Sequence, residues 1–225
     1  MQLPWSLRQN PRLGQWIAFS EPGIARVFTA KVELGQGILT ALAQIAAEEL
    51  RLPMAKIKVV SGDTRYSPDE SYTAGSMSIE IGGSSLRMAC AEAREALLRQ
   101  AARALEVDAG RLSLSGGAIL LDGKPSALDY WALAAGVDWE LPVVGSASLT
   151  DPADASYLGQ NVARLDLPAK LLGGAFVQDL ELPRMLHGRV LRPASLDSHL
   201  AQVDLSVVKR LPGIVKVWRN RDFVG

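Results

Sequence analysis

Gln36 stands between two glycines in KVELGQGILTALAQIAAEEL, residues 31–50, where a strand-like run gives way to helical spacing. Glycines let a backbone approach a ligand closely and adopt positive φ. The first N–H groups of a following helix lack intrahelical partners and carry partial positive charge, which suits phosphate or oxo groups. Gln36 adds an amide that can donate without a formal charge. The pattern is not the dinucleotide G-x-G-x-x-G, because Leu39 and Thr40 follow where a third glycine is approached. A tight turn carrying an exposed glutamine is the alternative. A second stretch of similar chemistry is Tyr72-Thr73-Ala74-Gly75-Ser76-Met77-Ser78, small and hydroxylated, leading into another helix. Ser76 or Ser78 there is a candidate helix cap, and the same geometry would present N–H and O–H groups to a phosphate. Two such helix starts in one αβ unit raise the case for a shared anion or cofactor site.

Other reactive residues are poorer candidates. Asp63, Asp69 and Glu70 offer carboxylates for acid–base work, but their polar surroundings read as a solvated acidic loop. His187 and His199 lack metal-ligand spacing, and neither H-E-x-x-H nor a cysteine pair occurs. His187 reads as a hydrogen-bonded residue on a strand. Cys90, in MACAEA, reads as a small core hydrophobe. No Ser-His-Asp arrangement can be assembled.

The elements that must position the glycine turns follow from periodicity. After an irregular lead-in over 1–13, WIAFSEPGIARVFTAKVEL predicts a hairpin turning at Glu21-Pro22-Gly23. Ile38, Leu39, Leu42, Ile45, Ala46 and Leu50 predict a helix that ends before Pro53, with Glu48, Glu49 and Arg51 on its outer side. KIKVVSGD then predicts a strand, completing a βαβ unit. A long polar loop over 61–76 precedes a second helix from about Met77 to Leu105, weakened by Gly82-Gly83. Gly116-Gly117 marks a hairpin, and SALDYWALAAG a helix capped by Ser126. The fold class is therefore α/β (α+β). The Pro-, Ser-, Asp- and Gly-rich stretch 149–160 reads as a linker between an N-terminal segment, 1–148, and a small α+β unit, 161–225. That unit is expected to hold strands at MLHGRVLR and LPGIVKVW and a short helix at DLSVVKRL.

Composition limits the function classes. The 225 residues suffice for a substantial core. Lys+Arg and Asp+Glu number 24 each, so net charge supplies no reason to expect nucleic acid as a partner. No apolar run approaches the ~20 residues that span a bilayer, and the start lacks the pattern of an export signal. The single cysteine rules out an intrachain disulfide and points to a reducing compartment. The cytoplasm is the default expectation. A periplasmic or membrane-associated complex is the alternative if an export signal has been removed.

Three blocks, VFTAKVELGQGILTALAQIAAEELRLP, KVVSGDT with SPDESYTAGSMSIE, and RLDLPAKLLGGAFVQDLELPRMLHGRVLRP, closely resemble one family. It is the molybdenum-binding large subunit of the xanthine dehydrogenase and aldehyde oxidase superfamily, in its isoquinoline oxidoreductase and nicotinate dehydrogenase branch. The resemblance covers about Leu13 to Gly225. It implies a βαβ-type molybdopterin-binding segment followed by a small, incomplete "a/b hammerhead"-like domain. It implies that Gln36 hydrogen-bonds an oxo ligand of the metal while Gly35 and Gly37 permit close approach. Thr73, Ala74, Gly75 and Ser76 would contact the pterin dinucleotide, in bacteria commonly the cytosine form. Such enzymes hydroxylate an aldehyde or an N-heterocycle with oxygen from water. They pass electrons to iron–sulfur clusters on a partner, so the implied partners are the remainder of the large subunit and a small 2Fe-2S subunit, with a cytochrome subunit as a further candidate.

One departure qualifies the match. The family's general-base glutamate belongs to a later G-x-G-E-type segment, which this sequence lacks. The expectation is an N-terminal piece that is inactive alone. The alternatives are a non-catalytic split or remnant module that binds a partner subunit, and an unrelated αβ module.

Overall fold

A three-stranded sheet in the order β1-β2-β3 carries the first half of the molecule. β1 (Ile17–Glu21) and β2 (Ile24–Thr29) form the expected hairpin. α2 (Ile38–Leu50) then crosses to β3 (Ile57–Ser61), which pairs parallel with β2 from Ala25↔Ile57 to Thr29↔Ser61. This is the βαβ unit the periodicity predicts. The structure is a computed structural model describing residues 2–173 and 176–225. Ala43, Ala46, Ala47 and Leu50 of α2 share one buried cluster with Ala25 and Val27 of β2. Leu86, Ala89, Cys90, Ala93 and Leu97 of α3 (Ser84–Leu105) complete it. The many alanines let helices and sheet approach closely. Cys90 is fully buried, as expected, and burial pushes its thiol pKa up.

The lead-in is not irregular. It forms α1 (Trp5–Gln9), with Leu7 in the core and the Ser6 and Ser85 hydroxyls hydrogen-bonded at 2.7 Å. A helix of five residues shows no legible period. The second long helix also starts differently from expectation: Ser78–Gly83 is one π-helical turn, and α3 proper begins at Ser84. Neither Ser76 nor Ser78 caps it, since no side-chain cap bond is present at either start.

β4 (Leu112–Ser115) and β5 (Ala118–Leu121) turn at Gly116-Gly117, both at positive φ, as predicted. β6 (Lys124–Asp129) adds a third strand, so Ser126 lies in a strand. α4 (Tyr130–Ala134) is capped by Asp129, which accepts from the Ala132 N–H.

The expected linker over 149–160 and the outward Glu48 and Glu49 are corrected together. Both glutamates are buried, with Glu49 1% exposed. Glu49 accepts from the N–H and hydroxyl of Thr150 and pairs with Arg87 and Arg94. Glu48 Oε2 accepts from the N–H groups of Ser156, Tyr157 and Leu158. The stretch is a strap fastened along α2. The compact unit consequently runs through α5 (Leu167–Leu172), and a second unit starts at Gly173.

Within the second unit, only β7 (Arg219–Asn220) and β8 (Phe223–Val224) pair among the described residues, flanked by Trp218 and Gly225 exchanging two backbone hydrogen bonds. Leu191 makes an isolated bridge to Val224. The strands expected at 185–192 and 211–218 and the helix at 204–211 are not formed, and Val208–Arg210 is a single 3-10 turn. His187 is exposed and outside any strand. No helix among the described residues is long and apolar enough to cross a membrane.

Candidate functional site

β2 stops at Thr29, and the chain from there to the glycine turn is held by the loop before α3. The Thr29 hydroxyl and Ala30 N–H both donate to Glu70 Oε2, at 2.6 and 2.7 Å. Lys31 is fully buried, and its Nζ donates to the carbonyls of Glu70 and Tyr72 at 2.7 and 3.1 Å. The Val32 N–H donates to Thr73 Oγ1 at 2.9 Å. Four consecutive residues before the first glycine turn are thus tied to residues 70–73. The network satisfies groups that would be costly to bury alone. Glu70, expected in a solvated acidic loop, is buried instead. Burial pushes its pKa up, against the opposing pull of Thr29, Ala30 and Lys31. Asp63 and Asp69 remain loop residues that accept from the N–H groups two positions on.

The Gly35-Gln36-Gly37 turn sits at the end of this segment. Gly35 and Gly37 take φ of 105° and 78°, which only glycine adopts freely. Gly37 occupies the N-cap position of α2. Gln36 is exposed, and its amide folds over its own turn: Nε2 donates to the Val32 carbonyl and Oε1 accepts from the Leu34 N–H. A primary amide has two donor hydrogens, so one is left unused by the turn. The N–H groups of Gly35 and Gly37 donate to Glu33 Oε1, at 2.8 and 2.9 Å. Burial raises the Glu33 pKa, but these backbone donors outweigh it and hold the carboxyl below its usual range. The bare N–H groups expected for a ligand are therefore already occupied by a side chain of the turn itself.

The second stretch is a tight turn. The Met77 N–H donates to the Ala74 carbonyl across Gly75 and Ser76, at φ of 61° and 59°. Two successive positive φ values define a type I′ turn, unfavourable for serine and natural for glycine. Ala74, Gly75 and Ser76 are exposed and Thr73 is half-buried. Thr73 accepts from Val32 through its oxygen, leaving its own proton free to donate. The Val32–Thr73 contact ties together the residues just before the two turns. A cavity of about 370 Å³, lined by Val32, Gly62, Asp63, Ser67 and Pro68 among others, borders the same segment.

Arg164, Asp166 and Lys170 were not legible as site residues. The Arg164 guanidinium donates to the Gly35 carbonyl at 3.0 Å and to Glu33 Oε1 at 3.3 Å. Asp166 receives two bonds from that guanidinium and pairs with Lys170. Arg164 and Lys170 hold the Asp166 carboxyl well below the usual range. No local pattern signals this contact, because 129 residues separate Arg164 from Gly35.

With the Gly35 and Gly37 N–H groups taken by Glu33, the donors that remain around the two turns are the Gln36 amide and the Thr73 and Ser76 hydroxyls, with glycine where backbone must come close. Such a set suits oxo and phosphate oxygens better than direct metal ligation, and it fits a pterin-borne metal. A family profile described as "Molybdopterin cofactor-binding domain" matches residues 4–159. The chain is 39% identical over 222 residues to a subunit of nicotinate dehydrogenase from Pseudomonas putida, covering 95% of this chain and 19% of that protein. It is 26% identical over 239 residues to the beta chain of isoquinoline 1-oxidoreductase from Brevundimonas diminuta, covering 88% and 31%. The crystal structure of quinoline 2-oxidoreductase from Pseudomonas putida 86 aligns with 61% of this chain and 19% of its own, at 24% identity and a TM-score of 0.46. The chain thus spans only about a fifth to a third of the length of these relatives. With the family profile covering well over half its residues, this chain belongs to the molybdopterin cofactor-binding domain family of the molybdenum hydroxylases.

Proposed function

We propose that the chain forms the first cofactor-contacting segment of a molybdenum hydroxylase large subunit, acting on an aldehyde or N-heterocycle. The observation that carries this reading is the Val32–Thr73 contact, which ties the chain leading into the Gly35-Gln36-Gly37 turn to the chain leading into the exposed Gly75-Ser76 turn. In this reading the N–H of Gln36 that the turn leaves unused would orient an oxo group on the metal. Gly35 and Gly37 leave room for that approach. Thr73, Ala74, Gly75 and Ser76 receive the pterin dinucleotide, in its cytosine form, with hydroxyl and backbone donors aimed at phosphate oxygens. When bound, the cofactor supplies two-electron redox chemistry and transfer of a water-derived oxygen. The chain's own residues bind and orient it. The general base lies outside this sequence, and electrons leave to iron–sulfur clusters on a small partner subunit. In the same reading, residues 173–225 contribute to a hammerhead-like domain. A cytoplasmic location accords with the single, buried Cys90.

The test is Gln36→Ala in the assembled enzyme. Its amide makes two bonds within its own turn, so a stability loss of about 1 kcal/mol is expected. Turnover per molybdenum should fall by roughly ten- to a hundredfold, the worth of a lost charge-assisted hydrogen bond. Gly35→Val should lower both stability and metal content, because valine is strained at φ 105°. Wild-type turnover per molybdenum in Gln36→Ala would reduce the turn to a structural feature.

A further inference from the structure

We infer that Glu33 and Arg164 form a two-sided clasp on the Gly35-Gln36-Gly37 turn, making Arg164 a positioning residue for whatever that turn contacts. The inference deepens the function proposed above and rests on it for the identity of the ligand alone. From one side, Glu33 Oε1 takes the N–H groups of Gly35 and Gly37. From the other, Arg164 takes the Gly35 carbonyl through one amino group and Glu33 Oε1 through the other. The peptide groups flanking Gln36 are thereby fixed by two side chains rather than by a sheet or helix ladder. Glycine pairs at positive φ are otherwise among the least constrained backbones available.

The clasp is itself held in place. Glu33 is nine-tenths buried, and its second oxygen, Oε2, is buried without a partner. The carboxylate therefore gains its hydrogen bonds on the turn-facing oxygen. Asp166 grips the guanidinium through two of its nitrogens, Nε at 2.9 Å and the terminal amino group at 2.6 Å, which fixes its plane. Lys170 lies 4.0 Å from Glu33 and pairs with Asp166, so two acids and two bases balance. The Leu165 N–H donates to Thr40 Oγ1 at 3.0 Å, fastening the backbone beside Arg164 to the first turn of α2. A guanidinium fork is required for this arrangement. A lysine could supply the charge but could not contact the carbonyl and both carboxylates in one plane.

The experiment is hydrogen exchange by mass spectrometry on the full-length protein carrying this chain, comparing peptides over 31–38 with peptides of α3. Arg164→Ala is expected to speed exchange in the turn peptide by about ten- to a hundredfold while α3 keeps its protection. Arg164→Lys should rescue little of it. Glu33→Gln, nearly unchanged in volume, should act in the same direction, and the double variant should exchange less than additively. Unchanged exchange at the turn in both single variants, with α3 intact, overturns the clasp. Molybdenum content and turnover on the same samples separate the two proposals. A loosened turn with wild-type metal content and turnover would leave the clasp standing and sink the cofactor role of the turn. A turn that stays tight sinks the clasp whatever the turnover.

Discussion

Glu70 illustrates how one side chain can set a site without belonging to it. Its Oε2 holds the Thr29 hydroxyl and the Ala30 N–H, while Oε1 is buried with no partner. Burial makes the charged form costly, so its folded pKa lies above the ordinary carboxylate value. The folded state then binds more protons than the unfolded one above pH ~4.5, so its contribution to stability declines as pH rises from there through the raised pKa. Thermal midpoints across that window should show this decline in the native protein, and Glu70→Gln should flatten it. Parallel profiles for the two proteins would show that Glu70 does not titrate there. Lys31 is the second such residue, and Lys31→Ala should cost about 3 kcal/mol or more, since it empties a fully buried site and strips two backbone carbonyls of their donor. A thermal midpoint within a degree or two of wild type would contradict that. The positions of Gln36 and Thr73 could be read from glycine, hydroxyl and helical spacing within a few residues of each. The burial of Lys31 and Glu70 could not, because each is buried by the other's neighbourhood across about forty residues, and a D-E-S sequence looks solvated in isolation.

Elements here are shaped by close approach as much as by propensity. The π-helical turn Ser78–Gly83 is the case in point. A Cβ at Gly82 would stand 2.7 Å from Glu70 Oε1 and 3.2 Å from Lys31 Cγ, and one at Gly83 would stand 3.1 Å from Ile45 Cδ1. The paired glycines, read from sequence as a weakness in the helix, are what lets the helix start lie against the Lys31–Glu70 network. In an unhindered helix Gly→Ala stabilises by about 1 kcal/mol. Gly82→Ala should have the opposite sign, because the methyl must displace a buried carboxylate whose other oxygen carries two hydrogen bonds. Denaturant unfolding decides it, and a stabilised Gly82→Ala would mean that the network yields easily. The strap over 149–158 follows the same logic. Its small polar residues match a linker in composition, yet they leave backbone N–H groups free to be gathered by Glu48 and Glu49. Glu49→Ala leaves Arg87 and Arg94 without their buried partner, at a cost of about 3–5 kcal/mol. It should also expose the strap to protease well before α2 is cut. Continued resistance of the strap in that variant would place its anchorage elsewhere.

At the scale of the whole molecule, the two units differ in how much apolar surface each buries by itself. In the unit ending at Leu172, the sheet, α2 and α3 enclose one continuous cluster that includes Trp16, Leu42, Leu86 and Leu97. The βαβ core was legible because its helix and strands carry their own periodicity. In the unit from Gly173 onward, Val177 is 89% exposed, Leu196 fully exposed and Val215 70% exposed. Val224 is its single buried hydrophobic among the described residues. The strand patterns at 185–192 and 211–218 are genuine sequence patterns, but a strand forms only where a partner completes its ladder. A lone two-stranded pairing is marginal in water. The backbone hydrogen bonds of Trp218 with Gly225 and of Leu191 with Val224 are consequently expected to open often. Hydrogen exchange on the chain by itself should find amides over 185–192 and 211–224 exchanging at least about a thousandfold faster than those of α3, a gap of roughly 4 kcal/mol in opening free energy. Adding the partners proposed above should slow the first set and leave α3 nearly unchanged. Protection of 185–192 equal to that of α3 in the isolated chain would show instead that this unit holds itself together through contacts stronger than its exposed side chains suggest.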